Sequence, residues 1–447
     1  MEAMPTTEPI RVIGNWSELD AAQRAALLSR GTDAIFDPAL RTNIVALLEE
    51  VRAEGDAALV RALAKFDGCT VAPERLRVTE EEFAQAQRSV TPELRAAIRD
   101  GIDHVRRFNE ALTAHGDWSF ESEPGLTVGE KVSPIASAGL FVPSGKGSYP
   151  SVMVQLGTPA VVAGVPEIAV IVPPVPGSDG RVDEAVLVAA DELGLRNVFR
   201  SNGPAGVAAL AFGTESVPRV RKVTGPGSPA VACAQVEVQR YGTAIAMLLG
   251  PSESLILADD SADARILAAD LLNEAEHGPD SSSVLVTESA ALLEAVQREV
   301  AAQLALLPEP RRGYAATALG TNGGAVLVEN LEQGAEVANA YAPEHMQIAV
   351  RDEETALGLL HDAGEILVGQ WTPVSAANFV IGCPAALPTS GFAKVNGGVT
   401  AETFRKRTAV ARADERALTR MSETVIAFTQ HEGFPAHEAA VRVRLDG

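Results

Sequence analysis

The chain has 447 residues, 46% of them apolar and 21% charged, the balance of a globular protein with a sizeable core. Lys and Arg number 37 against 59 Asp and Glu, a formal charge of −22. Such a surface repels phosphate backbones and anionic lipid, and 4% aromatics leave few platforms for base stacking, so nucleic-acid and membrane-surface roles are set aside. Length alone predicts about three domains of ordinary size. Cys69, Cys233 and Cys383 are too few and too scattered for a disulfide framework or a cysteine-only zinc site, and they suit a reducing compartment. MEAMPTTEPIRVIG has no basic segment followed by an apolar run, so a cytoplasmic protein without a secretory signal is expected.

In chain order, SELDAAQRAALLSR reads as a short amphipathic helix with Ser17 as its N-cap. Helical spacing of apolar residues continues to about 110. One stretch, LRTNIVALLEEVRAEGDAALVRALAKF, ends before Asp67-Gly68. At GLFVP (139–143) the texture changes. The apolar window Val152–Val175 is broken by Gly157, Pro159, Gly164 and Pro166 and contains Glu167, so it reads as buried core and not as a membrane span. Strand-like EIAVIVPP, helical DEAVLVAADELGL, strand-helix NVFRSNGPAGVAALAFG and VRKVTGPGSPAVACAQ form a βαβ series, which predicts a parallel sheet covered on both faces. The series resumes with SLILAD, a helix through 277, SSSVLVTES, a helix from Leu292 to Leu306, GGAVLVEN, another helix, MQIAV and GEILVG. From about 399 the tail reads as helical and polar-faced.

Three places carry candidate chemistry. VPSGKGSYP (142–150) follows a strand but fails as a phosphate loop. Five residues separate Gly139 from Gly145, and Gly147 stands where a magnesium-binding Ser or Thr belongs. It is either a Gly-rich turn with Lys146 in solvent or a loop facing substrate or dinucleotide. No GxGxxG is present. Glu274 and His277, three apart at a helix C-terminus, share one face where the helix dipole favours a cation; the alternative is a solvated face. Glu344 and His345, in YAPEHM between a helix and a strand, are expected on a connecting loop. There they either divide two proton-transfer tasks or form a surface loop with one capping Glu. His437 and Glu432 form the remaining polar pair, on the tail; His104, His115 and His361 lack partners at ligand spacing.

GPSES (250–254), LLNEAEHGPDS (271–281), YAPEHMQI (341–348), LPTSGFA (387–393) and EGFPAH (432–437) follow the order and spacing of histidinol dehydrogenase, and the correspondence includes GTESVPRVRKVTGPG (213–227). The chain thus resembles that family over nearly its whole length. The resemblance implies a zinc- and NAD-dependent homodimer that oxidises a primary alcohol through an enzyme-held aldehyde to a carboxylate. Glu344 and His345 match its catalytic pair, the His taking the alcohol proton and the Glu activating water. His277 and His437 match zinc ligands, and Ser252 and Glu432 match substrate contacts, with the tail pair supplied by the partner subunit. Also implied are two Rossmann-like parallel-sheet α/β domains of unequal size, with short helical arms exchanged across a domain-swapped homodimer. The expected division is an arm at 1–33, a larger domain from 34–140 and 253–398, a smaller dinucleotide-type domain at 141–252, and an arm at 399–447.

The departures from the family bear on substrate. Glu274 and Asn378 stand for the family's Gln and Asp zinc ligands, two opposite changes that keep the formal charge of a set still able to hold zinc. Ala385 replaces a histidine that contacts histidinol, Phe379 replaces a Tyr, and Cys383-Pro384 replaces Pro-Asn. Loss of a polar pocket group predicts a small alcohol other than L-histidinol. At the NAD contacts, Phe141 stands for Tyr, Ala205 for Gln and Ser228 for Asn. Cys383 is either a small buried residue or a thiol able to trap the aldehyde. The alternatives are histidinol dehydrogenase proper and a non-catalytic paralogue that binds zinc or a metabolite; retention of both Glu344 and His345 argues against the latter.

Overall fold

Strands that are buried on both faces need apolar residues at nearly every position, and the strand-like runs of this chain have that composition. The computed structural model describes residues 9–30, 32–144 and 147–446; the expectation for Lys146 lies outside the described residues. In chain order the strands are β1 (Val12–Asn15), β2 (Trp118–Glu123), β3 (Leu126–Pro134), β4 (Ser137–Phe141), β5 (Glu167–Val172), β6 (Val198–Arg200), β7 (Lys222–Thr224), β8 (Ala244–Ile245), β9 (Glu253–Ala258), β10 (Ser282–Thr287), β11 (Gly324–Leu327), β12 (His345–Ala349), β13 (Glu365–Val368) and β14 (Arg405–Ala413).

Two all-parallel sheets result. The first has the order β6-β5-β4-β7-β8 and the second β1-β11-β10-β9-β12-β13. Each is doubly wound, its order reversing between β4 and β7 or between β9 and β12. This is the expected α/β class. A third, antiparallel sheet, β14-β3-β2, was not expected. It corrects the all-helical tail: Arg405–Ala413 pairs with β3 along its full length before the helices Glu415–Glu432 and Pro435–Leu445 begin. Its side chains are almost all exposed, so the alternation that marks a half-buried strand is missing from the sequence.

The packing also differs from the expected grouping of 34–140 with 253–398. Ile44, Leu48, Leu59 and Leu63, from helices Pro38–Glu54 and Asp56–Phe66, share a core with Ala169, Ile171, Phe199 and Leu210 of the five-stranded layer. Phe83, Ile98, Ile102 and Val105, from Glu80–Ser89 and Pro92–Leu112, cover its other face with Leu140, Val170 and Leu187. Helical periodicity states that a face is buried, not which sheet buries it. Trp16, Leu19 and Leu27 instead join the six-stranded layer. The first helix is Ala21–Leu28, not one capped by Ser17. Asp20 caps it through a reciprocal box with Gln23, and Ser17 lies in the preceding 3-10 turn.

Among the described residues no helix is long and apolar enough to cross a membrane.

Candidate active site

The site forms at the amino ends of β9 and β12, opposite the edge where doubly wound sheets usually hold ligands. Register places His345, the first residue of β12, beside Ser254 on one side and Glu365 on the other. The preceding helix Leu331–Tyr341 ends at Ala342 in the left-handed region (φ 50°), which turns the chain directly into the strand. Glu344 is the last residue of the connecting loop, as expected, whereas His345 already opens the strand, and their burial excludes the surface-loop alternative. Both are buried, with His345 2% exposed. A parallel strand inside a sheet buries its first residues, and the short polar start of YAPEHM conceals this in the sequence.

Glu274, on the last turn of Ala264–Ala275, is fully buried, so a solvated face is excluded. Its Oε1 lies 2.8 Å from His277 Nδ1 and its Oε2 lies 3.9 Å from His345 Nε2. Oε2 has no hydrogen-bond partner. Glu344 Oε1 is also 3.9 Å from His345 Nε2, and Ser252 Oγ is 3.2 Å from His277 Nδ1. Glu274, Glu344 and His345 offer ligand atoms all within 4.8 Å of one another. A buried carboxylate with an oxygen left unpaired, flanked by imidazoles, is what a divalent cation satisfies, so Glu274 and His277 fit zinc.

The charges act strongly on each other. Burial resists ionisation of Glu274, but His277 and His345 outweigh it and hold the carboxyl at about 2. Burial, and then the charge of Glu274, push Glu344 up to about 8 against the lowering effect of His345. Burial lowers His345, yet Glu274, Glu344 and Glu365 together raise it to about 10. Glu274 also raises His277 against its burial.

Glu365 was not singled out in the sequence. Its Oε1 is 2.5 Å from His345 Nδ1, and its side chain is buried. The signal available was a glutamate opening the otherwise apolar run GEILVG, at a position that a buried strand fills with an apolar residue.

The other expected residues fall into two groups. Asn378 is half-buried on a turn after Val374–Ala376, Phe379 is 60% exposed, and Ala385 donates its N–H to Gln155 Oε1 at 3.2 Å. Among the described residues no hydrogen bond joins Asn378 to the cluster. Glu432 and His437 are exposed on the tail helices, where the His437 ring packs on Phe434. Those helices pack on each other, and among the described residues no hydrogen bond or ion pair joins His437 to Glu274. Cys383 is half-buried; burial, then the charge of Glu365, raise its thiol pKa, which opposes a resting thiolate.

The expected NAD contacts do not fit a dinucleotide through their side chains. Phe141 and Ala205 are core residues, 2% and 0% exposed, and Phe141 packs against the start of helix Gly203–Phe212. Only Ser228, at the N-cap of Pro229–Val238, is exposed.

The histidinol dehydrogenase family model matches residues 33–445. "Histidinol dehydrogenase homolog 2" of Mesorhizobium japonicum is 41% identical, over 95% of this chain and 96% of that protein. The histidinol dehydrogenase of a Synechocystis species is 38% identical, over 94% and 96%. The crystal structure of histidinol dehydrogenase from Elizabethkingia anophelis superposes with a TM-score of 0.92 at 28% identity, covering 99% of each chain. Zinc and NAD are typical of these oxidoreductases. The chain belongs to the histidinol dehydrogenase family.

Proposed function

We propose that this chain is a zinc-dependent, NAD-linked dehydrogenase that oxidises a small primary alcohol through an aldehyde to a carboxylate, with a substrate other than L-histidinol. The reading is carried by the convergence of buried Glu274, Glu344 and His345 with half-buried Ser252 and His277 at one edge. It is supported by relatives that carry the name "homolog". Ala385, where the family has a histidine that contacts histidinol, favours the different substrate: a site that has lost a polar contact loses its discrimination for the group once bound there.

Glu274 and His277 would hold zinc, with Asn378 of the same chain and His437 of the partner subunit completing the set. Bound there, zinc would polarise and orient the alcohol oxygen. In its neutral form, His345 takes the hydroxyl proton on Nε2 as the carbon loses hydride to NAD⁺. Glu344, as the carboxylate, then takes a proton from the water that adds to the aldehyde. His345 takes the proton of the resulting hydrate in the second oxidation. Ser252 and the partner subunit's Glu432 would contact the substrate, beside Phe379 and Ala385.

The assembly is a homodimer with exchanged arms, working in the cytoplasm. Exposed Trp118, Phe120, Val410, Phe428 and Phe434 on the third sheet and tail helices supply apolar area for that contact. The test is absorbance at the NADH band, with zinc-loaded protein, NAD⁺ and a panel of L-histidinol, other amino alcohols and diols. Turnover of a panel member well above L-histidinol supports the proposal. L-histidinol turned over best, at about 1 per second or more, would make this histidinol dehydrogenase proper. Zinc bound with no turnover of any alcohol would favour a non-catalytic paralogue.

A further inference from the structure

We infer that Glu365 is a positioning residue that holds the proton on Nδ1 of His345, so that Nε2 alone exchanges protons with substrate; this rests on the proposed role of His345 as the base. The two ring nitrogens have unequal surroundings. Nδ1 has a carboxylate oxygen at 2.5 Å, whereas the nearest carboxylate oxygens to Nε2, from Glu274 and Glu344, are both 3.9 Å away. Only the first is a hydrogen bond. An acceptor-only carboxylate fixes the proton on the nitrogen it faces, and this holds whether the ring carries one proton or two.

The bond is also rigid. Residues 345 and 365 are direct register partners on adjacent parallel strands, so backbone pairing sets their separation. Gly364 lets the chain run close to the Glu344 carbonyl and to Leu387, where an added Cβ would lie 2.5 Å and 3.1 Å from them. A carboxylate buried there has a desolvation cost, and Glu365 Oε2 has no hydrogen-bond partner. A side chain serving only to pack this strand would be apolar. During alcohol oxidation the hydroxyl proton passes to Nε2 while the Nδ1 proton stays on the Glu365 side. The ring becomes an imidazolium beside the Glu365 carboxylate, so the pair passes from one net negative charge to none.

The test combines ring ¹⁵N NMR of histidine-labelled, zinc-loaded protein with kinetics of Glu365→Gln and Glu365→Leu, the His345 signals being assigned from a His345→Gln variant. In the wild type the neutral His345 ring carries its proton on Nδ1 and leaves Nε2 unprotonated. In Glu365→Leu that preference disappears. Gln at 365 can turn either its oxygen or its NH₂ toward Nδ1, so Glu365→Gln keeps the fold and zinc content but mixes the ring states. Its kcat, on the most active alcohol of the panel, falls about 10- to 100-fold with KM within about threefold. A neutral wild-type ring protonated on Nε2, or a Glu365→Gln protein with wild-type NMR pattern and kcat, overturns the inference. Absence of turnover in the wild type would count against the proposed function, while the NMR result still decides the role of Glu365.

Discussion

Glu344 Oε2 accepts a hydrogen bond from the backbone N–H of Glu253 at 3.0 Å, which ties the residue before β12 to the first residue of β9. The bond fixes one oxygen and leaves Oε1 on the His345 side. Two adjacent residues thus have separate fixed tasks, one imidazole nitrogen and one carboxylate oxygen, at the point where two strands begin. Glu253 itself is held by Arg30 at 3.2 Å and by the N–H of Ser390, and the Arg30 guanidinium lies over the Tyr341 ring.

The division of labour predicts how Glu344→Gln behaves. Gln cannot take a proton from water, so aldehyde oxidation slows by about 100-fold or more, while alcohol oxidation, which uses His345, slows less. Separate assays of alcohol and aldehyde as starting substrates check this. Equal losses in both would remove the assignment.

The unpaired Oε2 of Glu274 predicts that metal governs stability as well as activity. Chelation should lower the melting temperature, because zinc at about 100 times its dissociation constant adds about 2.7 kcal/mol to the folded state. Glu274→Ala and His437→Ala should each abolish tight zinc binding by elemental analysis. Unchanged stoichiometry in His437→Ala would contradict its place in the ligand set.

Leu63 is fully buried between helix Asp56–Phe66 and the five-stranded layer. Leu63→Ala should cost about 2–5 kcal/mol, from lost burial and a residual cavity. Urea denaturation measures it. A cost under about 1 kcal/mol would show that this helix does not pack where it is described.

Arg200 is fully buried and bonds Glu82 at 2.5 Å and the Gly180 carbonyl at 2.8 Å. Burial resists ionisation of Glu82, but the hydrogen bonds from Arg200 and the Thr79 backbone overcome it and hold the carboxyl below its usual range. A lowered folded-state pKa means stability that is present above the unfolded carboxyl value, near 4.3, and lost as pH falls through the folded value. Wild-type stability should therefore exceed that of Glu82→Gln by about 1–3 kcal/mol at pH 6, a gap that closes toward pH 3. A gap independent of pH would mean that the charge of Glu82 contributes nothing.

Most of the fold was legible because its strands are buried runs. EIAVIVPP, SLILAD, SSSVLVTES and GEILVG each became a strand of a parallel sheet within a residue or two of the expected place. β14 was not legible, since its exposed residues carry no burial pattern, and neither was the sheet on which the helices of 38–112 pack. At the site, Glu274, His277, Glu344 and His345 were visible as motifs, and the structure brings all four together. Glu365 was hidden because it is far in sequence from every motif and meets His345 only through strand register. Phe141 and Ala205 were found by position, but their apolar side chains turn into the core.

The central claim is a two-step oxidation at one site, and the amount of NADH formed per alcohol consumed tests it most directly. Zinc-loaded protein, given NAD⁺ and the most active alcohol of the panel, should release two NADH per alcohol and yield the carboxylate without free aldehyde accumulating. One NADH per alcohol with aldehyde released into solution, or zinc bound and no alcohol consumed at all, would contradict the account.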